Sequence, residues 1–363
     1  MADDPRHSPV FWPLMAARAL SEMTLNATAF WSGASDALQA RPGPAVFVSP
    51  HSVELDMTGM RLLAFGAGSA AVPILVVAPF ALHDAAIADF APDHSLVAVL
   101  LSGGASRVHI AECKSADSAS QHFDIDAYLA ELNVIVDELG GRARMVGLCQ
   151  GGWLALAYAA RFPKNVDRLA LVGAPIDLGA CDSAMTFATR NAPPGGFAAL
   201  AAAGGGAGTG GQLLRLWARD LDLAQLTRDA LQTDDAALAA RFADWYVRVV
   251  DLPGPYYLQS VEWLFQQNRL ALGAFRALGR TLDLRDAAMP IYLLAGATDE
   301  VAPPAQLLAL RDLAGSTDMT VDVAQACHLG LFMGRRSLAE NWPKPAAWLA
   351  SPVKPARRRV KSP

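Results

Sequence analysis

Residues 144–162 read RMVGLCQGGWLALAYAARF, and this stretch decides the fold. Arg144 to Leu148 reads as a strand and Gly151 to Phe162 as a helix, so Gly147-Leu148-Cys149-Gln150-Gly151-Gly152 spans the turn between them. Such a sharp strand-to-helix turn forces its central residue, Cys149, into strained backbone geometry and exposes its side chain. Glycines two places before and after it let strand and helix pass without Cβ clashes. The same turn aims the next N–H, that of Gln150, at the place where an oxyanion would develop. Cys149 is therefore a candidate nucleophile. The alternative is a small buried cysteine at a strand–helix junction.

Working outward, the same rhythm recurs on both sides. Val72 to Pro79 is a continuous apolar run of the kind a strand buried on both faces shows. Ser95 to Ser102 reads as a helix and Ser106 to Ala111 as a short strand. Asp124 to Leu139 carries apolar residues at helical period and stops at Gly140-Gly141. Leu169 to Val172, Ile291 to Gly296 and Met319 to Val323 are further strands. One strand over Ser52 to Phe65 leads into the set. Strands alternating with helices predict an α/β-hydrolase fold, a mostly parallel sheet covered by helices. The alternation breaks between Asp177 and Leu282, which predicts an inserted, mainly helical cap. The glycine tract Gly204 to Gly211 in it reads either as a lid hinge or as a loose surface loop. The expected divisions are an amino-terminal amphipathic helix and linker at 1–45, core at 46–177, cap at 178–282, core again at 283–350 and a basic tail at 351–363. The amino-terminal helix, over Val10 to Gly33, either packs on the domain or docks on an apolar surface through its two tryptophans.

Composition limits the function. Of 363 residues, 53% are hydrophobic and 18% charged, which fits a large buried interior. A net charge of −5 offers no field for nucleic acid. Four scattered cysteines, 113, 149, 181 and 327, make neither a disulfide scaffold nor a metal knuckle, and point to a reducing, cytoplasmic setting. No secretory signal is expected at the acidic start, and no apolar run reaches the roughly 20 residues of a transmembrane helix. No metal or redox cofactor is indicated.

A cysteine nucleophile needs a base, and the base an orienting acid. Catalytic groups gather at the carboxyl ends of parallel strands, with the acid and then the histidine following the nucleophile in chain order. Asp299 sits just past the Ile291 to Gly296 strand, with adjacent Glu300 as its rival. Asp322 lies inside the last strand and is a poor candidate. His328 follows that strand; the other histidines, at 7, 51, 83, 94, 109 and 122, all precede Cys149. The second oxyanion donor is expected after the Val72 to Ala78 strand, at the N–H of Phe80, since Pro79 has none. His83 and Trp153 are candidate substrate contacts, with a capped loop as the alternative for His83.

The box Gly147-Leu148-Cys149-Gln150-Gly151-Gly152 resembles the Gly-x-Cys-x-Gly-Gly box of polyhydroxyalkanoate synthases, particularly the short synthases that need a partner subunit. Ile87 to Val97, Phe123 to Leu129, Asn268-Arg269-Leu270, Asp283-Leu284, Pro303-Pro304, His328-Leu329-Gly330 and Trp342-Pro343 are similar to segments of that family. The resemblance runs from about Val72 to Leu349. It implies a Cys149–Asp299–His328 triad that moves 3-hydroxyacyl groups from a coenzyme A thioester, through an acyl-cysteine, to a growing polyester. It also implies a partner subunit or self-association, and a place on polyester granules. The alternatives are hydrolysis by the same triad (a polyester depolymerase or thioesterase) and a non-catalytic granule-associated partner.

Overall fold

The computed structural model describes residues 40, 43–69, 72–217 and 221–352. The helix expected over Val10 to Gly33 and the tail beyond Pro352 lie outside them. Eight strands form one sheet: β1 (His51–Asp56), β2 (Met60–Phe65), β3 (Ile74–Val77), β4 (Val108–Cys113), β5 (Ala143–Leu148), β6 (Val166–Val172), β7 (Ile291–Gly296) and β8 (Met319–Ala324). Their spatial order is β1-β2-β4-β3-β5-β6-β7-β8. β1 and β2 are antiparallel to their neighbours, and β4 through β8 run parallel.

Helices cover this sheet. The chain steps one way from β3 to β4, through α1 (Leu96–Ser102), and then back the other way. The return passes through α2 (Ile125–Glu138) and α3 (Gln150–Arg161). Right-handed crossovers place α1 on one face, and α2 and α3 on the other. Side-chain caps start two of these helices: Ser95 accepts from Ala98 N–H and Asp124 from Ala127 N–H.

Two expectations need correction. Ser52 to Phe65 is not one strand but a hairpin, reversing at Met57–Gly59, where Met57 N–H donates to Met60 O. Only its second arm is buried; the first, with Glu54 and Asp56, is an exposed edge. No two-residue turn signature marks the reversal. β6 starts three residues before Leu169, at Val166, because its charged residues are partnered on burial. Asp167 meets Arg142 (2.6 Å) and Arg144 (3.1 Å). Arg168 lies over the Trp348 ring and donates to Ser351 Oγ and Pro352 O at the end of the last helix.

Between β6 and β7 come α4 (Ala184–Arg190), α5 (Gly196–Ala203), α6 (Gly210–Trp217), α7 (Leu223–Leu231), α8 (Ala236–Val247) and α9 (Gly254–Gln259). A π-helical turn, Ser260–Gln266, follows α9. The glycine tract is close-packed in part: Gly204, Gly208 and Gly210 leave no room for a side chain, whereas Gly205 and Gly206 stand open. Ala207–Gly208 pairs with Leu252–Pro253, and Gly210 N–H donates to Asp251 Oδ1. A Cβ on Gly208 would lie 2.9 Å from the Tyr257 ring, and one on Gly254 would lie 2.1 Å from Gly206 O. Glycine is needed there because backbones and rings touch. The chain then completes α10 (Pro304–Leu308), α11 (Leu310–Leu313), α12 (His328–Met333) and α13 (Pro343–Ala350), the last lying against α1.

The Asp167 carboxylate is fully buried, whereas Arg142 is half exposed and Arg144 is mostly covered. Removing the buried partner leaves a charge without compensation, and removing an exposed one costs little. Asp167→Ala is expected to lower unfolding stability by about 2–4 kcal/mol, and Arg142→Ala by less than about 1 kcal/mol, as read from urea midpoints.

Candidate active site

Five strand ends meet at one place. β5 runs directly into Cys149, which has φ 49° and ψ −120° and links β5 to α3. A positive φ costs a residue with a Cβ roughly 1–3 kcal/mol, and it persists only where its surroundings enforce it. Here they do. Cys149 N–H donates to Val172 O, at the end of β6, and Gly152 N–H turns back to Cys149 O. A Cβ on Gly147 would sit 2.5 Å from Gly152 Cα. One on Gly151 would sit 2.2 Å from Val77 O, and one on Gly152 would sit 2.3 Å from the Ala174 Cβ. The elbow is wedged between the ends of β3 and β6 with no room for a side chain other than its own.

β7 and β8 supply the rest. Asp299 follows β7; its Oδ1 accepts N–H groups from Val301 (3.0 Å) and Ala302 (2.8 Å), which leaves Oδ2 facing His328 Nδ1 at 2.8 Å. His328 opens α12 just after β8, and its Nε2 lies 3.1 Å from Cys149 Sγ. Burial alone would lower the imidazole pKa. The Asp299 carboxylate and then the Cys149 sulfur, each bonded to one ring nitrogen, outweigh it and hold the ring well above its ordinary value. The sulfur, ring and carboxylate therefore form one continuous hydrogen-bonded line. Of the two adjacent acids, Asp299 is the one that reaches the ring. Glu300 is held above the usual carboxylate range by burial and then by the neighbouring Asp299 charge. Asp322 pairs instead with Lys344 and Tyr292.

The other candidates are placed as follows. Gln150 is the first residue of α3, so its N–H is one that a helix leaves without an internal acceptor. Its side-chain Oε1 accepts from Trp153 Nε1 at 2.9 Å. The chain carrying Phe80 leaves β3 where that strand touches Gly151, and the Phe80 ring is buried against Tyr128 and Tyr256. Trp153 is corrected: it is 0% exposed, lies between Tyr256 and Phe275, and forms the wall behind the elbow with no surface for a substrate. His83 is corrected too. Its ring packs against Trp245 and Tyr246 of α8, its Nδ1 faces Arg248 O, and burial lowers its pKa to about 4. It is a neutral joint between core and cap. Among the described residues no three metal-ligating side chains cluster, and no helix is long and apolar enough to cross a membrane.

Sequence reasoning missed the supports of α12. His94 Nδ1 lies 2.7 Å from Met333 O, and Trp342 Nε1 donates to Leu331 O at 2.7 Å. Both hold the short helix that carries His328. Chain order sorts catalytic histidines but says nothing about a structural one such as His94. Tyr256 of the cap, close enough for the Cys149 charge to act on its phenol, was missed as well. Its neighbours in sequence carry no motif.

The chain belongs to the alpha/beta hydrolase fold family, which matches residues 103–334. Within that class it is polyhydroxyalkanoate-synthase-like. A poly(3-hydroxyalkanoate) polymerase subunit PhaC from Haloferax mediterranei is 26% identical to it, over 94% of this chain and 72% of the relative. Another of the same name, from a Synechocystis species, is 29% identical over 77% of this chain and 78% of its own. Among solved structures, a monoacylglycerol lipase from Paleococcus ferrophilus shares the fold with a TM-score of 0.53. That likeness spans 80% of this chain and 98% of the lipase, at 16% identity. A bacterial membrane phospholipase A gives 0.52 over 91% and 93%, again at 16% identity.

The backbone oxygens that face Gly151 cannot yield as a flexible side chain would. Gly151→Ala is expected to cost about 3 kcal/mol, read as a melting temperature roughly 4 °C lower.

Proposed function

We propose that the protein is an acyltransferase that takes 3-hydroxyacyl groups from a coenzyme A thioester onto Cys149 and passes them to the hydroxyl end of a polyester. The observation that carries this reading is the line from Cys149 Sγ through His328 to Asp299, at 3.1 and 2.8 Å, in a chain whose relatives are named poly(3-hydroxyalkanoate) polymerase subunits.

The steps follow from the geometry. His328 Nε2 takes the thiol proton, and the thiolate adds to the thioester carbonyl. The oxyanion is received by the N–H groups of Gln150 and Phe80. When the tetrahedral adduct collapses, the carbon–sulfur bond to coenzyme A breaks, and the departing thiolate takes the proton from His328. The acyl group is now a thioester of Cys149. In the second half the acceptor hydroxyl gives its proton to His328 and attacks the acyl carbon, which lengthens the polyester and frees the sulfur. Asp299 keeps the ring oriented and stabilises its charge throughout. The thioester supplies the driving force, so the triad needs no metal or redox group.

Transfer rather than hydrolysis requires that water be kept from the acyl-cysteine. The buried aromatic wall formed by Phe80, Trp153 and Tyr256 beside the elbow supports that reading. Incubation with 3-hydroxybutyryl-coenzyme A is expected to release thiol, load hydroxyacyl units on Cys149 and form polymer. Cys149→Ala is expected to abolish all three. Release of free acid without polymer would reject synthesis in favour of hydrolysis. An unmodified Cys149 under the same conditions would favour a non-catalytic granule-associated partner. A partner subunit or a second copy, and residence on polyester granules, belong to the same proposal and are tested by co-sedimentation with the polymer.

The pH dependence has a definite sign. His328 is held charged to higher pH than a free imidazole, so proton donation to the leaving thiolate persists into alkaline solution and fails only above the raised value. The same raised value stabilises the fold below about pH 6.5, and this contribution is lost as pH rises through the folded-state value. Asp299→Asn is expected to lower kcat by roughly 10²–10⁴-fold and to move the alkaline limb of the pH–rate profile to lower pH.

A further inference from the structure

Two buried hydroxyls, one under the cap and one in it, lack a hydrogen bond of good geometry. Tyr128, in α2, is 0% exposed and its Oη makes no hydrogen bond. Ser260, at the start of the π-helical turn, is 7% exposed and its Oγ makes none of good geometry. Native proteins seldom leave such groups unpaired unless water or a ligand completes them. π-helical turns are themselves frequent at functional sites.

These hydroxyls share one place. The rings of Phe80, Tyr128 and Tyr256 form a triangle with centroids 5.0, 5.1 and 5.0 Å apart. The Tyr256 hydroxyl faces Ser260. Burial, and next the Cys113 sulfur, push the phenols of Tyr128 and Tyr256 far up, and Cys149 adds to the effect on Tyr256. Both phenols are therefore hydrogen-bond donors throughout the working range. Cys113 ends β4 and Cys149 follows β5, with β3 between them. Tyr256 also stacks on Trp153, whose indole nitrogen bonds Gln150, the residue next to Cys149.

We infer that the hydroxyls of Tyr128 and Ser260, with that of Tyr256 beside them, form a notch that receives the 3-oxygen of the acyl group carried on Cys149. The inference rests on the acyl-transfer reading and names the side chains that would select its substrate. A 3-oxygen is four bonds from the sulfur, on the order of 5 Å, so a donor that bonds it must stand close beside the elbow. A phenol donor suits both forms of that oxygen, the free hydroxyl of a newly loaded unit and the ester oxygen of a growing chain. An acyl group lacking the oxygen would leave the same hydroxyls unpaired against an aromatic wall. Sites built to bond a substrate hydroxyl reject analogues without one by large factors.

The test compares rates of Cys149 acylation by 3-hydroxybutyryl-coenzyme A and by butyryl-coenzyme A, using quenched samples read by mass. The wild-type protein is expected to favour the hydroxy substrate by about 100-fold or more. Tyr128→Phe, which keeps the ring, and Ser260→Ala are each expected to reduce that ratio about tenfold, with butyryl loading unchanged or faster. A ratio that survives both substitutions, with both substrates slowed alike, assigns the side chains a packing role and overturns the inference. A wild-type ratio near one overturns it as well. If neither thioester loads Cys149 in the wild type, acyl transfer itself falls and takes the notch with it, an outcome distinct from equal loading by both.

Discussion

No residue bearing a Cβ rests comfortably at φ 49°, and the molecule is arranged so that Cys149 has no alternative. The constraint is steric and comes from two strands and a helix at once. Val77 O at the end of β3, Val172 O at the end of β6 and the returning turn of α3 close on the elbow within van der Waals contact. That closure needs the parallel register in which Val77 lies beside Gly147, and Gly147 beside Leu171. A slip of one residue in either pairing would open the elbow and turn the sulfur away. The apolar strands are thus what keeps one thiol aimed, and the imidazole and carboxylate inherit their positions from the next two strands of the same sheet.

Much of this was legible in the sequence because the elbow concentrates its requirements into six consecutive residues. Strand, glycines, exposed centre and helix all had to agree, and they did. The parallel core was equally readable, since strands buried on both faces are apolar runs without alternation, as Ile74 to Val77 is. Legibility failed where burial was secured by distant partners. Asp167 and Arg168 look like loop residues until Arg142, Arg144 and the end of α13 are in place around them. Trp153, a candidate substrate contact in the sequence, lies just beyond the nucleophile. Helical geometry turned it inward, where Gln150 holds its indole nitrogen.

The cap was legible as an insertion and illegible in detail. Its glycine tract reads as a hinge or a loose loop, yet part of it is packed closely, Gly206 O against Gly254 and Gly208 against the Tyr257 ring. Long-range pairing of that kind leaves no periodic trace. The joint between cap and core is similar. Asp84 Oδ1 accepts from Trp245 Nε1 and its other oxygen faces Arg248, while the His83 ring packs on Trp245 and Tyr246. An aspartate, with a tryptophan and an arginine at least 161 residues further on, holds the roof over the edge of the sheet. Burial raises the Asp84 pKa, so this joint is an expensive one to form in the absence of its partners.

β6 and β7 are hydrogen-bonded neighbours, Leu169 beside Ile291, although the whole cap intervenes between them in the chain. A polypeptide that leaves one strand and returns to its immediate neighbour can be lengthened, shortened or exchanged without cutting any rung of the ladder beneath. The machinery at the strand ends and the chamber above it are in this sense separate inheritances. One is locked by backbone contacts that tolerate almost no change, and the other is free to be remodelled without disturbing them.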